Sequence, residues 1–162
     1  MNNYSPYQNR RPQQTAPAQA APVRVAPAAH RAKPLPKNYV DQAEAIIQSM
    51  KAAADNDRRI KVITSTKLRN LFGLFSDSYN SCLRMESNEL QDEQLSALRA
   101  ARVRIVYECG REEAVKSFVE KTDMLSYLYD IGSSKEKLVN YYHYLEALVA
   151  YGRYVGLTKD EK

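Results

Sequence analysis

The chain has 162 residues and a mass of 18.5 kDa, with 24 Lys and Arg against 19 Asp and Glu and a formal charge of +5. That length suits one compact domain and is too short for two of ordinary size. All seven prolines and six of the basic residues fall within residues 1–37, which contain no acid, so the other 125 residues carry 18 basic against 19 acidic side chains. The pI near 9.1 therefore belongs to the N-terminal segment, and a uniformly basic nucleic-acid-binding core is excluded.

The two cysteines, Cys82 and Cys109, form no CxxC pair and the chain has only two histidines, which excludes a disulfide framework and a zinc site of ordinary spacing. No cofactor is expected. No apolar run approaches the roughly 18 residues that a membrane helix needs. Residues 1–11 are polar where a signal peptide is apolar, so the expectation is a soluble, cytoplasmic protein with no membrane contact.

Residues 1–37 are rich in Pro, Ala and Gln, with too few apolar side chains to offset about 1–2 kcal/mol of backbone entropy per ordered residue. They are expected to form a disordered tail ahead of a domain spanning 38–162. Its six cations, Arg10, Arg11, Arg24, Arg31, Lys33 and Lys37, offer weak contacts to a nucleic-acid backbone or serve only a solvated linker.

From Asn38 onward there is no proline, and the apolar residues recur with helical period. A first helix is expected from Asp41, spaced with Glu44 as a capping box, through Ile46, Ile47 and Met50 to about Ala54. A second starts near Thr64, Ser65 or Thr66 and aligns Leu68, Leu71, Phe72, Phe75, Tyr79, Cys82 and Leu83 on one stripe. A third runs from after Ser87 to Cys109, stopped by Gly110. A fourth covers about Glu112 to Tyr129, stopped near Gly132. A fifth opens at the capping pair Ser133 and Glu136 and ends at Gly156. The fold class is all-α, a compact bundle of about five helices.

Catalytic motifs are absent from the sequence: there is no Gly-rich phosphate loop, GxSxG, HExxH or DxDxDG. His143 falls beside Ala147 and Ala150, off the apolar stripe of the last helix, and reads as exposed or partner-facing. Glu89, Asp92, Glu93, Glu112 and Glu113 read as first-turn charges that complement helix dipoles. Cys82 and Cys109 lie on apolar stripes and read as small core residues. An enzyme is not expected.

Charge placement is more informative. Arg58, Arg59, Lys61, Lys67 and Arg69 occur with no acid between Arg58 and Ser76, and the second helix opens within that run. Free backbone N–H groups and a positive dipole end there would suit a phosphodiester. On the outward side of the same helix follow Arg69, Gly73, Ser76, Asn80 and Arg84. A glycine costs about 1 kcal/mol relative to alanine inside a helix and lets another backbone approach. An ordinary solvated face with one tolerated glycine is the other reading.

The third helix adds Arg99, Arg102 and Arg104, with Arg111 just past its expected end. Arg104 points away from the Leu95, Leu98, Ile105 arc, whereas Arg102 falls inside it and must snorkel, pair or face another subunit. Ala100, Val103 and Tyr107 make the helix apolar on a second side, as in a central helix or one used in assembly. Tyr141, Tyr142, Tyr144, Tyr151 and Tyr154 fall within fourteen residues. The first three lie on or beside the apolar arc and read as packing groups, with base stacking as the alternative.

Three strings, ITSTKLRNLFGLF at 63–75, RIVYECGREEAVKSFVEK at 104–121 and YYHYLEALVAYGRYVG at 141–156, together resemble the small helical subunit of type III-A CRISPR–Cas interference complexes, the Csm small subunit. The first is similar to that family's Thr/Ser-capped helix with an aliphatic residue before Arg, here Leu68 and Arg69. The second resembles its Tyr-x-x-Gly-Arg turn at Tyr107, Gly110 and Arg111, followed by the stretch around Phe118 and Lys121. The third resembles its closing helix, at Glu146, Ala147, Ala150 and Tyr151.

The resemblance implies a non-catalytic subunit that stacks in several copies, lies against guide RNA and single-stranded target RNA beside a filament of backbone repeat subunits, and touches the large polymerase-like subunit at one end. Arg69 and Arg111 match its basic elements. The charge reading adds Arg58, Arg59, Lys61, Lys67, Arg84 and Arg104 as candidate RNA contacts. The competing expectation is a helical adaptor that binds only protein.

Overall fold

A computed structural model describes residues 32–158. Arg10, Arg11, Arg24 and Arg31 of the expected tail lie outside the described residues. Lys33 and Leu35, assigned above to that tail, sit on the body. The Lys33 amide donates to the Ser126 carbonyl at 3.1 Å, its ammonium lies 2.5 Å from Asp123, and Leu35 packs half-buried against the core. One leucine within a proline-rich run supplies the apolar contact that composition averaged over 37 residues conceals.

The described residues form seven helices: α1 (Tyr39–Asn56), α2 (Ser65–Gly73), α3 (Ser76–Leu83), α4 (Asp92–Arg111), α5 (Glu113–Lys121), α6 (Met124–Asp130) and α7 (Lys135–Tyr154). The all-α class expected from the sequence is found, and the count of five rises to seven because two expected helices are each broken. The second breaks into α2 and α3 after Gly73, where the Phe75 amide bonds the Phe72 carbonyl at 3.1 Å in an i→i+3 turn. That turn sends Phe75 fully into the core, edge-on to Tyr141 with ring centroids 5.2 Å apart. It also leaves Leu83, expected on the buried stripe, 52 % exposed.

The fourth expected helix breaks into α5 and α6 at Thr122 and Asp123. Asp123 adopts a left-handed conformation, φ 51°, which aspartate tolerates better than most side chains. The Thr122 carbonyl at this break accepts the Tyr144 hydroxyl at 2.7 Å, and the Met124 carbonyl accepts that of Tyr141 at 3.1 Å. Burial pushes both phenols above their ordinary pKa. The packing use expected of these tyrosines is the one found.

Some expected boundaries move. α1 starts at Tyr39 rather than at the Asp41–Glu44 pair, with Asp41 in its first turn. α4 opens at a Gln91–Gln94 capping box, later than Ser87, and continues through Gly110 to Arg111. Extended Glu112 alone separates α4 from α5, serving as cap to both. Ser134, not Ser133, caps α7, by accepting from the Lys137 amide. Two boundaries hold: Thr64 caps α2, and α7 stops before Gly156, whose φ is 66°.

The centre of the bundle is α7, packed against α1, α2, α3 and α6, with Leu138, Tyr141, Tyr144, Leu145 and Leu148 buried. α4 packs against α3, α5 and α6 through Leu98, Ala101 and Ile105. It is therefore not the central helix that its two-sided apolar pattern allowed. Its other side is left open, with Val103, Val106 and Tyr107 among the most exposed large apolar residues. Arg102 escapes the core by lying over the Tyr129 ring, 4.8 Å from its centroid.

Candidate nucleic-acid interface

Four of the eight expected cations come together. Lys67 and Arg69 from α2 and Arg104 and Arg111 from α4 line one cleft of about 490 Å³, with Asn70, Gly73 and Leu74 along its α2 wall. Helical geometry explains the alignment on α4, since Arg104 and Arg111 are seven residues, two turns, apart and share a face. Gly73 has no atom within 4 Å of the position where a Cβ would stand, so this wall is open.

The acid-free run around these cations is acid-free only along the chain. Across the cleft, Glu108, 7 % exposed, reaches both Lys67 at 3.4 Å and Arg104 at 2.8 Å, and Glu112 lies 2.8 Å from Lys67. The Glu112 carboxylate, more than Glu108, holds the Lys67 ammonium above its usual pKa. Burying Glu108 without cationic partners would be severely unfavourable, so Lys67 and part of Arg104 serve the fold. Arg69 and Arg111 are exposed and make no ion pair among the described residues.

The α2 entrance is likewise partly committed, because the Thr64 hydroxyl accepts the Lys67 amide at 3.3 Å. That removes one donor from the anion site expected there. Arg111 and Arg104 both lie over the Tyr107 ring, each 5.5 Å from its centroid.

The other expected residues do not join the cleft. Arg59 is held by Asp57 through two bonds of 3.0 and 3.1 Å, which keep that carboxyl below its usual pKa. Lys61 lies 3.6 Å from Glu113, and both are exposed, so the pair is weak. Arg58 is exposed in the loop before α2. Arg84 caps the C-terminus of α3, and the break after Gly73 removes it from the continuous face expected for Arg69 to Arg84.

Sequence reasoning missed Glu108 and Glu112 as partners of Lys67. The i, i+4 spacing of Arg104 and Glu108 was a readable signal, whereas the contact of Lys67 with Glu108, 41 residues away, had none.

Elsewhere, His143 bonds Glu146 at 3.3 Å and lies edge-on to Tyr79, itself stacked on Tyr142 at 3.9 Å. Cys82 is buried and Cys109 half-buried, and burial raises both thiols, the reverse of an activated nucleophile. Among the described residues no group of three or more His, Cys, Asp or Glu is placed to hold a metal, and no helix is long and apolar enough to cross a membrane.

Residues 40–157 match the sequence model of the Csm2 type III-A family. The chain is 34 % identical over 124 residues to the CRISPR system Cms protein Csm2 of Mycobacterium tuberculosis, covering 76 % of this chain and 95 % of that one. It is 35 % identical over 120 residues to the Csm2 protein of Streptococcus thermophilus, covering 74 % and 93 %, and 32 % identical to that of Enterococcus italicus, covering 69 % and 85 %. The matched span contains all of α1 to α7 but for Tyr39, the first residue of α1. The chain thus belongs to the Csm2 family, the small subunit of type III-A CRISPR systems.

Proposed function

We propose that the chain is a non-catalytic subunit of an RNA-guided type III-A complex, stacking in several copies and holding a ribose-phosphate backbone in the cleft between α2 and α4. Its partners on this reading are guide RNA, single-stranded target RNA, other copies of itself, the backbone repeat subunits and the large polymerase-like subunit. The observation that carries the RNA contact is the convergence of Arg69, Arg104 and Arg111 from two helices on one cleft. Guanidinium groups match phosphate oxygens with two parallel N–H donors, and they need no base-specific partner. Sequence-neutral contact is what guided recognition requires, because base pairing with the guide already reads the target.

About three phosphate contacts to a single strand give a salt slope near −2 and weak binding by one protomer. The purified protein is expected to bind single-stranded RNA without sequence preference at low salt. Arg69→Glu combined with Arg111→Glu should reduce that binding at least about tenfold in a filter assay, since reversing each charge turns a phosphate attraction into repulsion. The circular-dichroism signal should stay intact, since both side chains are exposed and neither makes an ion pair among the described residues. Unchanged RNA binding would refute the assignment of this cleft.

A protein-only adaptor is the second reading, favoured by the exposed Val103 and Val106 on α4. Protein lacking residues 1–31 separates the two, because an adaptor that retains no RNA after loss of the N-terminal cations has no RNA site on its body.

A further inference from the structure

We infer that Tyr107 is a stacking platform for an unpaired nucleobase, so that the cleft takes single-stranded RNA in preference to duplex. This rests on the RNA reading of the cleft and adds to it a contact with the base. The ring is 54 % exposed on the outward side of α4, next to the cleft that Arg104 and Arg111 line. Its position is fixed by the helix, with Arg104 three residues before it and Arg111 four after, and both guanidinium groups lie over it at 5.5 Å.

The two arginines are not equivalent. Arg104 is tethered to Glu108 at 2.8 Å, whereas Arg111 makes no ion pair among the described residues. Arg111 is thus the one that can turn from the ring to a phosphate oxygen, exchanging a cation–π contact for a charge-assisted hydrogen bond. The ring face it vacates is apolar, electron-rich and already beside the strand. A base from the same nucleotide can cover it, and every base has such a face, so the contact carries no sequence preference. In a duplex the bases are stacked on one another, and only the phosphate contacts remain available.

The test compares full-length protein with three ligands of equal length: a single-stranded RNA, an abasic ribose-phosphate strand and an RNA duplex. The expected result is binding to the single strand about tenfold tighter than to the abasic strand, the size of one base stacked on an aromatic ring. Tyr107→Ala should lose that preference and leave abasic-strand binding unchanged, while Tyr107→Phe should keep it. Equal wild-type binding to the strands with and without bases, unaltered by Tyr107→Ala, overturns the stacking role and leaves the phosphate cleft standing. Binding to none of the three overturns both. A Tyr107→Ala variant that keeps the wild-type RNA preference but sediments as a smaller species assigns the ring to a protein contact and likewise overturns it.

Discussion

Glu108 sets how much of the positive charge gathered between α2 and α4 can reach a ligand. Its carboxylate is buried and shared between Lys67 and Arg104, so one acid holds two of the four cleft cations. Glu112 gives Lys67 a second carboxylate partner, which Arg104 lacks among the described residues. Glu108→Gln keeps the side-chain shape and removes the charge. The ammonium of Lys67 then relies on Glu112, and the loss of charge-assisted hydrogen bonds at the buried Glu108 position should cost about 1–3 kcal/mol of stability in urea unfolding. The same change releases Arg104 to the cleft, so affinity for single-stranded RNA at low salt should rise. A variant that is less stable and binds no tighter would mean that Arg104 does not reach the strand.

The individual helices show what periodicity reports and what it does not. Thr64 before α2 and Gly156 after α7 were readable because capping and left-handed turns select particular residue types at particular positions. The breaks after Gly73 and at Asp123 were not, because Leu68, Leu71, Phe75 and Cys82 stay buried on either side of a turn too short to disturb their spacing. Asp123 carries no signature for its positive φ, since aspartate is also ordinary in helices' first turns. In the cleft, Arg69 and Arg111 were readable as exposed cations at matching motif positions. The opposing carboxylates were not, because the fold rather than spacing along the chain brings Glu108 and Glu112 at the end of α4 within reach of Lys67 in the first turn of α2. Gly73 tests whether the open wall is used. It closes α2 with no neighbour where a Cβ would point, so Gly73→Ala should leave stability unchanged or raise it by up to about 1 kcal/mol. RNA affinity should fall severalfold as a methyl group enters the path of the strand. Unchanged affinity would place the strand away from α2.

Residues 38–162 carry almost no net charge, so any affinity for a polyanion comes from where the cations stand rather than from how many there are. One protomer with a slope near −2 loses most of its binding at physiological salt. An arrangement of several copies along one strand changes this, because the second contact is made at an effective concentration set by the first. The two possibilities separate on strand length. Independent protomers bind long and short strands with the same affinity per site, and their isotherms stay hyperbolic. Copies that touch as they bind give a sigmoidal isotherm on a strand with room for several, and an affinity per site higher by about tenfold or more, while a strand with room for one protomer shows neither. The stacking proposed for this chain predicts the second pattern with purified protein alone. It also predicts that Arg69→Glu weakens binding to long and short strands by the same factor per protomer, because on the proposed reading that residue faces the strand rather than a neighbouring copy. Hyperbolic binding at every length would show that stacking of this subunit needs the other components of the complex.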